Sequence, residues 1–360
     1  MRYQQVAVLI PAYKPDGRLV TLVDALMAAG FARIVAVDDG GGPAYADIFE
    51  QLRGKAEVLT HEVNRGKGAA LKTGLRHLMA TPGIAVVTAD ADGQHTPEDC
   101  VRIADALIAH PGALVLGTRD KKQMPPRSRA GNTLTCGVFG LVTGLWVSDT
   151  QTGLRGLPAD SLPRFAGLSG DRYEYELSVL MDARHRRMAV VEVPIETVYL
   201  DQKNSSSHFH ALRDGLRIYA LLFREVGAFM GSSLLCTLVD YSLFILLDRV
   251  LPGHMAVALP GHLRVGRQGA QVLGARAVSA TLNYALNRRV VFRRGRGLRS
   301  AAMYYALAAL IAVCSWQGIA LLTSLGMQQL LAKGIVDALL FLVNYQMQQR
   351  VVFRGHRKKA

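Results

Sequence analysis

From residue 226 onward four long apolar stretches follow one another, 226–247, 270–286, 301–322 and 330–347. Each approaches the ~20 residues that cross a bilayer as a helix. Lipid offers no partner to a backbone N–H or C=O, so segments of this kind fold as helices that close their own hydrogen bonds. A buried core helix would account for any one of them, but not for four in succession. The second is the shortest and carries Arg276 within it. Asp240, Arg276 and Asp337 all fall inside these stretches, where a charge costs about 2.5–3.5 kcal/mol even on the permissive insertion scale. They are expected to face the bundle interior, with Arg276 paired to one of the acids.

The charges between the stretches set an orientation. Arg213, Arg217 and Arg224 precede the first stretch, and Arg288, Arg289, Arg293, Arg294, Arg296 and Arg299 separate the second from the third. Arg350, Arg354, Arg357, Lys358 and Lys359 follow the fourth, whereas 323–329 carries no charge. Basic segments stay on the cytoplasmic side, so both termini are expected in the cytoplasm of a multi-pass inner-membrane protein. The strand-like start at Val6, with no signal peptide before it, agrees. The net charge of +14 in a chain that is half hydrophobic, with a mean hydropathy of +0.18, fits cationic membrane margins. Zinc spacing and an aromatic-interleaved basic stripe are both missing, which argues against a nucleic-acid partner. Cys100, Cys136, Cys236 and Cys314 are scattered and read as reduced thiols.

The membrane region repeats itself. Asn283-Tyr284, Arg289-Val-Val-Phe292-Arg293 returns as Asn344-Tyr345, Arg350-Val-Val-Phe353-Arg354 at a constant offset. Two hairpins of one orientation imply a duplication, an arrangement common among transporters.

The first 222 residues differ. Strand-type runs at 6–10, 34–37, 57–60, 85–88, 114–117 and 189–193 alternate with helical patterns at 18–29, 68–79, 97–109 and 213–223. That alternation predicts an α/β sheet, so the chain divides into 1–222 and an all-α four-helix membrane domain over 223–360. After the fourth run comes Asp90-Ala91-Asp92-Gly93-Gln94-His95. In extended backbone, residues i and i+2 point the same way, which aims two carboxylates at one point. Such oxygens suit Mg²⁺ or Mn²⁺ sharing a substrate phosphate. An ordinary Asp-Gly turn explains Asp92-Gly93 but not the second acid or the Gln94 amide. Elsewhere Pro11-Ala12-Tyr13 ends the first run, with a tyrosine able to stack. Asp38-Asp39-Gly40 ends the second, and acids there commonly hold a ribose or base. Asn64-Arg65-Gly66-Lys67-Gly68 opens a helix and would place N–H groups and Lys67 near a diphosphate. Arg119, Arg127, Arg129 and Arg155 lie on later loops, Arg127 and Arg129 beside a helix-like apolar stretch at 134–145. Exposed loop arginines are usually solvated, but several of them after the metal-bearing strand look more like phosphate ligands. Tyr173-Glu174-Tyr175-Glu176 is a further polar landmark.

These motifs, together with Gly117-Thr-Arg119 and Gln151-Thr-Gly-Leu-Arg155 and in this order, resemble family 2 glycosyltransferases, nearest the polyprenyl-phosphate sugar synthases related to dolichyl-phosphate mannose synthase. The remainder resembles a GtrA-like four-helix membrane domain. The resemblance implies a GT-A fold and inverting transfer from a UDP- or GDP-linked sugar to an undecaprenyl- or dolichyl-type phosphate at the cytoplasmic membrane face. By position it implies that Pro11, Ala12, Tyr13, Asp39, Lys67, Asp90, Ala91 and Asp92 hold the nucleotide sugar. Asp90, Asp92 and Gln94 would bind the metal, Asp92 and Arg119 would act in catalysis, and Arg127, Arg129, Lys203 and His208 would meet the acceptor phosphate. A homo-oligomer is compatible with this. Gly41 stands where the family usually has Ser, and His208 where mannose synthases tend to have Lys, which leaves sugar and base open. A transporter with an inactive synthase head is one alternative, against which the intact Asp90/Asp92/Gln94 set speaks. A polysaccharide synthase is the other; its Gln-x-x-Arg-Trp element is missing around Trp146 and Trp316.

Overall fold

The computed structural model describes residues 3–197, 211–252, 256–259, 263–291 and 298–352. By internal contacts the chain divides into two compact units, Met1–Leu221 and Leu222–Ala360.

The first unit runs β1 (Tyr3–Ala12), α1 (Gly17–Ala28), β2 (Phe31–Asp38), α2 (Ala46–Glu50), β3 (Glu57–Thr60), α3 (Lys67–Leu78), β4 (Ala85–Thr88), α4 (Pro97–Ala109), β5 (Leu114–Arg119), α5 (Pro126–Thr143), β6 (Arg155–Leu157), α6 (Leu162–Phe165), α7 (Glu174–Arg186) and β7 (Val190–Ile195). The strands order as β3-β2-β1-β4-β6-β5-β7. All pairs are parallel except those of β6 with β4 and with β5. β1 lies between two parallel neighbours, and Val6 to Ile10 are buried as one unbroken apolar run, as a strand covered on both faces must be. Leu19, Leu22, Val23 and Leu26 form the buried stripe of α1, spaced to lie on one helical face. Its start is fixed by Asp16, whose carboxylate accepts the Arg18 N–H. Thr96 caps α4 in the same way through the Asp99 N–H, ahead of Pro97 at the first helical position. The chain leaves β1 for β2 on one side and later returns to β4 on the other. Their carboxyl ends therefore flank a topological switch point, the crevice where open α/β sheets bind ligands.

Four features depart from the sequence reading. β6 was not expected, since three residues including Gly156 carry no strand signature; its partners supply the ladder. α7 was read only as a polar landmark. Arg127 and Arg129 fall in the first turn of α5, because Pro126 starts that helix well before the apolar residues at 134–145. The fourth is a hairpin in the second unit.

That unit contains α8 (Ala211–Val250, entering from the first unit), the antiparallel hairpin β8 (Ala256–Leu259) and β9 (Leu263–Gly266), α9 (Arg267–Leu286), α10 (Leu298–Ser324) and α11 (Gln329–Met347). Among the described residues, Val226–Leu247 of α8 is long and apolar enough to cross a membrane. The sequence repeat is also structural. Both α9 and α11 run into a π-helical turn, Asn287–Val291 and Gln348–Val352. Asn287 Nδ2 donates to Asn283 Oδ1 four residues back at 2.7 Å, and Gln348 Nε2 donates to Asn344 Oδ1 at 3.1 Å. The two halves join where Asn287 Nδ2 also donates to Gln348 Oε1 at 2.9 Å, between equivalent positions of the repeat, 61 residues apart. Ser232 of α8 donates to Asn287 Oδ1 at 2.7 Å. The Asp240 carboxylate accepts from Ser279 at 2.7 Å; the side chains of Arg276 and Asp337 lie outside the described residues.

Candidate active site

β4 ends at Thr88, and two residues further on Asp90 enters a buried ionic cluster. Lys67, the first residue of α3, places its Nζ 2.6 Å from Asp90 Oδ1 and 2.7 Å from Glu176 Oε1. Glu176 is in the first turn of α7. The loop before β6 closes over this cluster at Gly153. A Cβ there would sit 2.3 Å from Asp90 Oδ2 and 2.7 Å from Lys67 Nζ, so only glycine lets the backbone come so near. Thr88 Oγ1 holds the same residue by donating to its carbonyl at 2.7 Å. Burial works against the Lys67 charge, but Asp90 and Glu176 outweigh it and hold the ammonium well above its ordinary value. Burial likewise pushes Asp90 up, and Lys67 first and the neighbouring His95 second outweigh it, so Asp90 stays ionised far below the usual carboxylate range.

Asp92 is placed differently. Its Oδ1 accepts the Gln94 N–H at 3.0 Å, yet burial first and the Asp90 charge second raise its pKa. Among the described residues no ammonium or guanidinium lies within salt-bridge distance of it. A carboxylate whose charge is opposed by burial and by a like charge is a place where a cation is favoured. Among the described residues no three His, Cys, Asp or Glu side chains converge into a ready-made metal cage. Two carboxylates completed by phosphate and water are what Mg²⁺ or Mn²⁺ ordinarily takes, so Asp90 and Asp92 fit such an ion. Gln94 is buried beside them.

His95 was quoted in the motif but given no role. It is buried, with Nε2 3.5 Å from Asp90 Oδ2, and neither ring nitrogen makes a hydrogen bond.

At the ends of β1 and β2, Asp39 N–H donates to the Ala12 carbonyl at 2.8 Å. Pro11 and Tyr13 are half-buried, and Lys14 Nζ stands 5.3 Å over the Tyr13 ring. Asp39 is buried, and both of its oxygens meet donors of the protein: the N–H groups of Arg65 at 2.9 Å and Gly66 at 2.7 Å, and the ring of His61 at 2.8 Å. The loop at 64–68 therefore turns two of its N–H groups toward Asp39 instead of offering them to a diphosphate.

The arginines divide by role. Arg119, at the end of β5, forks onto Asp149 with Nε–Oδ2 at 2.6 Å and Nη2–Oδ1 at 3.0 Å. Burial raises the Asp149 carboxyl, but the guanidinium outweighs it and holds it below the ordinary range. Arg155, expected with the phosphate ligands, is structural. It is buried and donates to the carbonyls of Thr152, Thr150 and Glu176. Arg129 is exposed. The Arg127 side chain, Lys203 and His208 lie outside the described residues.

The structure thus brings Asp90, Asp92, Lys67 and Gly153 together, with Ala91 between the acids, and adds Glu176, His95, His61 and Asp149. An acid inside the apolar pattern 175–183 was the available signal for Glu176. His61 and Asp149 had no local signal.

An α/β sheet of this order with acids at its switch point, continuing into a helical unit, is the GT-A arrangement of a glycosyltransferase followed by a membrane domain. Residues 7–157 match the family model "Glycosyl transferase family 2", and residues 228–353 match "GtrA/DPMS, transmembrane domain". The UDP-N-acetylglucosamine–dolichyl-phosphate N-acetylglucosaminyltransferase of Methanococcus voltae is 30% identical over 244 residues, covering 62% of this chain and 96% of that protein. An uncharacterised protein of Methanocaldococcus jannaschii is 30% identical over 207 residues, covering 56% and 84%. Polyprenol monophosphomannose synthase of Mycolicibacterium smegmatis is 26% identical over 209 residues, covering 53% and 77%. The chain belongs to glycosyl transferase family 2 and carries a GtrA/DPMS transmembrane domain.

Proposed function

We propose that this chain transfers a sugar from a nucleotide-sugar donor to a polyprenyl phosphate, with inversion, giving a polyprenyl monophosphate sugar. The observation that carries the reading is the Asp90–Lys67–Glu176 cluster with Asp92 beside it at the switch point, in a chain that continues into a membrane domain. Asp90, Asp92 and Gln94 would hold Mg²⁺ or Mn²⁺, which when bound neutralises charge on the leaving diphosphate. Lys67 keeps its charge at the same place and would meet that diphosphate as a fixed cation. Pro11, Ala12 and Tyr13 would border the nucleoside, the tyrosine ring offering a stacking face.

A lipid phosphate has a second pKa of about 6, so near neutral pH its oxygen is already an ionised nucleophile. It attacks the anomeric carbon as the bond to the nucleoside diphosphate breaks, and the electron pair leaves with the diphosphate. No general base is required. Two anions must still meet, and Arg127, Arg129, Lys203 and His208 would hold the acceptor, with Arg119 near the diphosphate or acceptor phosphate.

The basic connections support a multi-pass topology with both termini cytoplasmic, the side where nucleotide sugars are available. Membranes containing the chain, given labelled UDP- and GDP-sugars and undecaprenyl phosphate, test the reading. UDP-linked donors come first, because the M. voltae relative is named for one. One donor is expected to yield labelled lipid that requires the added lipid phosphate. Absence of lipid-linked product from every donor would sink the reading.

A further inference from the structure

His61 lies just after β3, belongs to none of the motifs above, and is gripped at both ring nitrogens. Nδ1 is 2.8 Å from Asp39 Oδ1 and Nε2 is 2.9 Å from Thr73 Oγ1 on α3. Its own N–H donates to the Asp38 carbonyl at 2.8 Å. The residue is 7% exposed. Asp39 Oδ1 also takes the Arg65 N–H, and Oδ2 takes the Gly66 N–H. An ionised carboxylate only accepts, so His61 carries a hydrogen on Nδ1. Nε2 then accepts from the Thr73 hydroxyl when the ring is neutral.

The residues that Asp39 grips stand directly before Lys67. On the opposite side the same loop meets the backbone ahead of α7. Ala69 N–H donates to the Asp171 carbonyl at 3.0 Å, and a Cβ on Gly66 (φ +102°) would lie 2.4 Å from that oxygen. The loop is thus set between two walls. One wall is fixed backbone, and the other is a carboxylate whose orientation His61 braces from the side away from the loop. Lys67 must span from this loop to both Asp90 and Glu176, so a small turn of Asp39 would shift the cation.

We infer that His61 is a positioning residue for the transfer reaction: by orienting Asp39 it anchors the Arg65 and Gly66 amides and thereby aims Lys67 at the donor diphosphate. This rests on the donor site proposed above.

Three variants of the full chain in nanodiscs test it: His61→Leu, which removes both ring contacts; His61→Asn, whose amide can still donate to Asp39; and Thr73→Val. Two measurements are made. Amide hydrogen exchange over 62–70 reports the anchor without any ligand, and KM for donor and for undecaprenyl phosphate reports the reaction, with UDP-N-acetylglucosamine as first donor probe and the other nucleotide sugars after it. His61→Leu is expected to accelerate exchange at Arg65 and Gly66 and to raise donor KM about tenfold, leaving acceptor KM within twofold. His61→Asn should recover most of both effects, and Thr73→Val should change donor KM by less than His61→Leu. A merely structural histidine would lower the melting temperature and active fraction without moving donor KM. Unchanged exchange, or equal donor KM in the Leu and Asn variants, overturns the proposal. If His61→Leu does not fold, Asn alone decides: donor KM and exchange near wild type support the anchor, and a tenfold rise in KM with wild-type exchange overturns it. Faster exchange in His61→Leu combined with a wild type that transfers from no donor would uphold the anchor and overturn the proposed reaction instead.

Discussion

The two units handle buried polar groups in opposite ways. In the first, charges meet charges: Lys67 between Asp90 and Glu176, and Arg119 on Asp149. In the second, the best-formed network among the described residues is neutral, running Ser232–Asn287–Gln348 with Asn283 and Asn344 behind it. The difference follows from the surroundings. At the carboxyl end of a sheet, buried ions such as these are offset by their partners and, in a site for an anionic substrate, by the ligand. Inside an apolar bundle an ion is costly, whereas amides both donate and accept and can close on one another. The first unit is therefore built to respond to charge, and the second to hold two repeats in register.

The sharpest way to break the comparison is to remove Asp92, the acid beside the cluster whose charge is opposed by burial and by Asp90. Asp92→Asn, or chelation with EDTA, is expected to reduce transfer at least a hundredfold. In metal-free protein its melting temperature should equal or exceed that of the wild type, because a carboxyl whose folded pKa is raised opposes folding when ionised. Full activity of this variant would mean that the Asp90–Lys67 pair suffices without a cation.

Next in size is the Arg119–Asp149 pair. Asp149→Asn leaves a half-buried guanidinium facing a neutral amide, and breaking one partner of a buried pair costs about 3–5 kcal/mol. The sign of its pH dependence is fixed by the depressed Asp149 pKa. The stabilisation is present above the unfolded Asp value of about 3.9 and is lost as pH falls through the folded value. Denaturant unfolding at pH 7 and along an acid series should show a wild-type slope on the acid side that the variant largely lacks. Equal acid slopes would remove the pair as a source of stability.

In the second unit the effect should be smaller. Asn287→Leu takes a hydrogen-bond partner from Gln348 Oε1 and from Ser232, and Gln348→Leu takes one from Asn287 Nδ2. Interhelical hydrogen bonds between such groups average about 0.6 kcal/mol, with model peptides at about 1–2. A double-mutant cycle by unfolding in detergent should give a coupling in that range. Additive losses would show that the repeats are held by apolar packing alone. Of comparable size is the replacement of Arg127 and Arg129 by Ala, at about 1 kcal/mol each if they only attract anionic lipid. If they hold the acceptor with the two-pronged geometry of arginine, KM for lipid phosphate rises well beyond that while donor Kd is unchanged, and added salt does not reproduce the effect. An equal loss of donor affinity would move them to the nucleotide site.

How far each feature could be read in advance depends on its range along the chain. The strands at 34–37 and 85–88 and helix α4 announce themselves through periodicity and caps, because those signals are local. β6 was hidden because three residues are held by the neighbours' ladders, not by their own propensity. Arg155 looked like a phosphate ligand because a lone arginine in a sequence shows its charge and not its surroundings; three buried carbonyls take its N–H groups. His61 was overlooked for the mirror reason, as its partners lie 22 and 12 positions away.

By itself the sequence determined the break between an α/β unit and an apolar helical unit, the duplicated hairpin, and the paired carboxylates at a strand end. Each follows from spacing: period two, period 3.6, the length of a bilayer crossing, a constant offset. The tertiary structure alone decided that Lys67 lies between Asp90 and Glu176 and that Asp39 grips the loop before Lys67. It also decided that Arg119 belongs to Asp149 and that the two repeats meet at Asn287 and Gln348. These contacts join residues 23 to 109 positions apart, as from Asp90 to Lys67 and from Glu176 to Lys67. At that distance the packing of the sheet and the bundle selects which of several chemically suitable partners comes within reach.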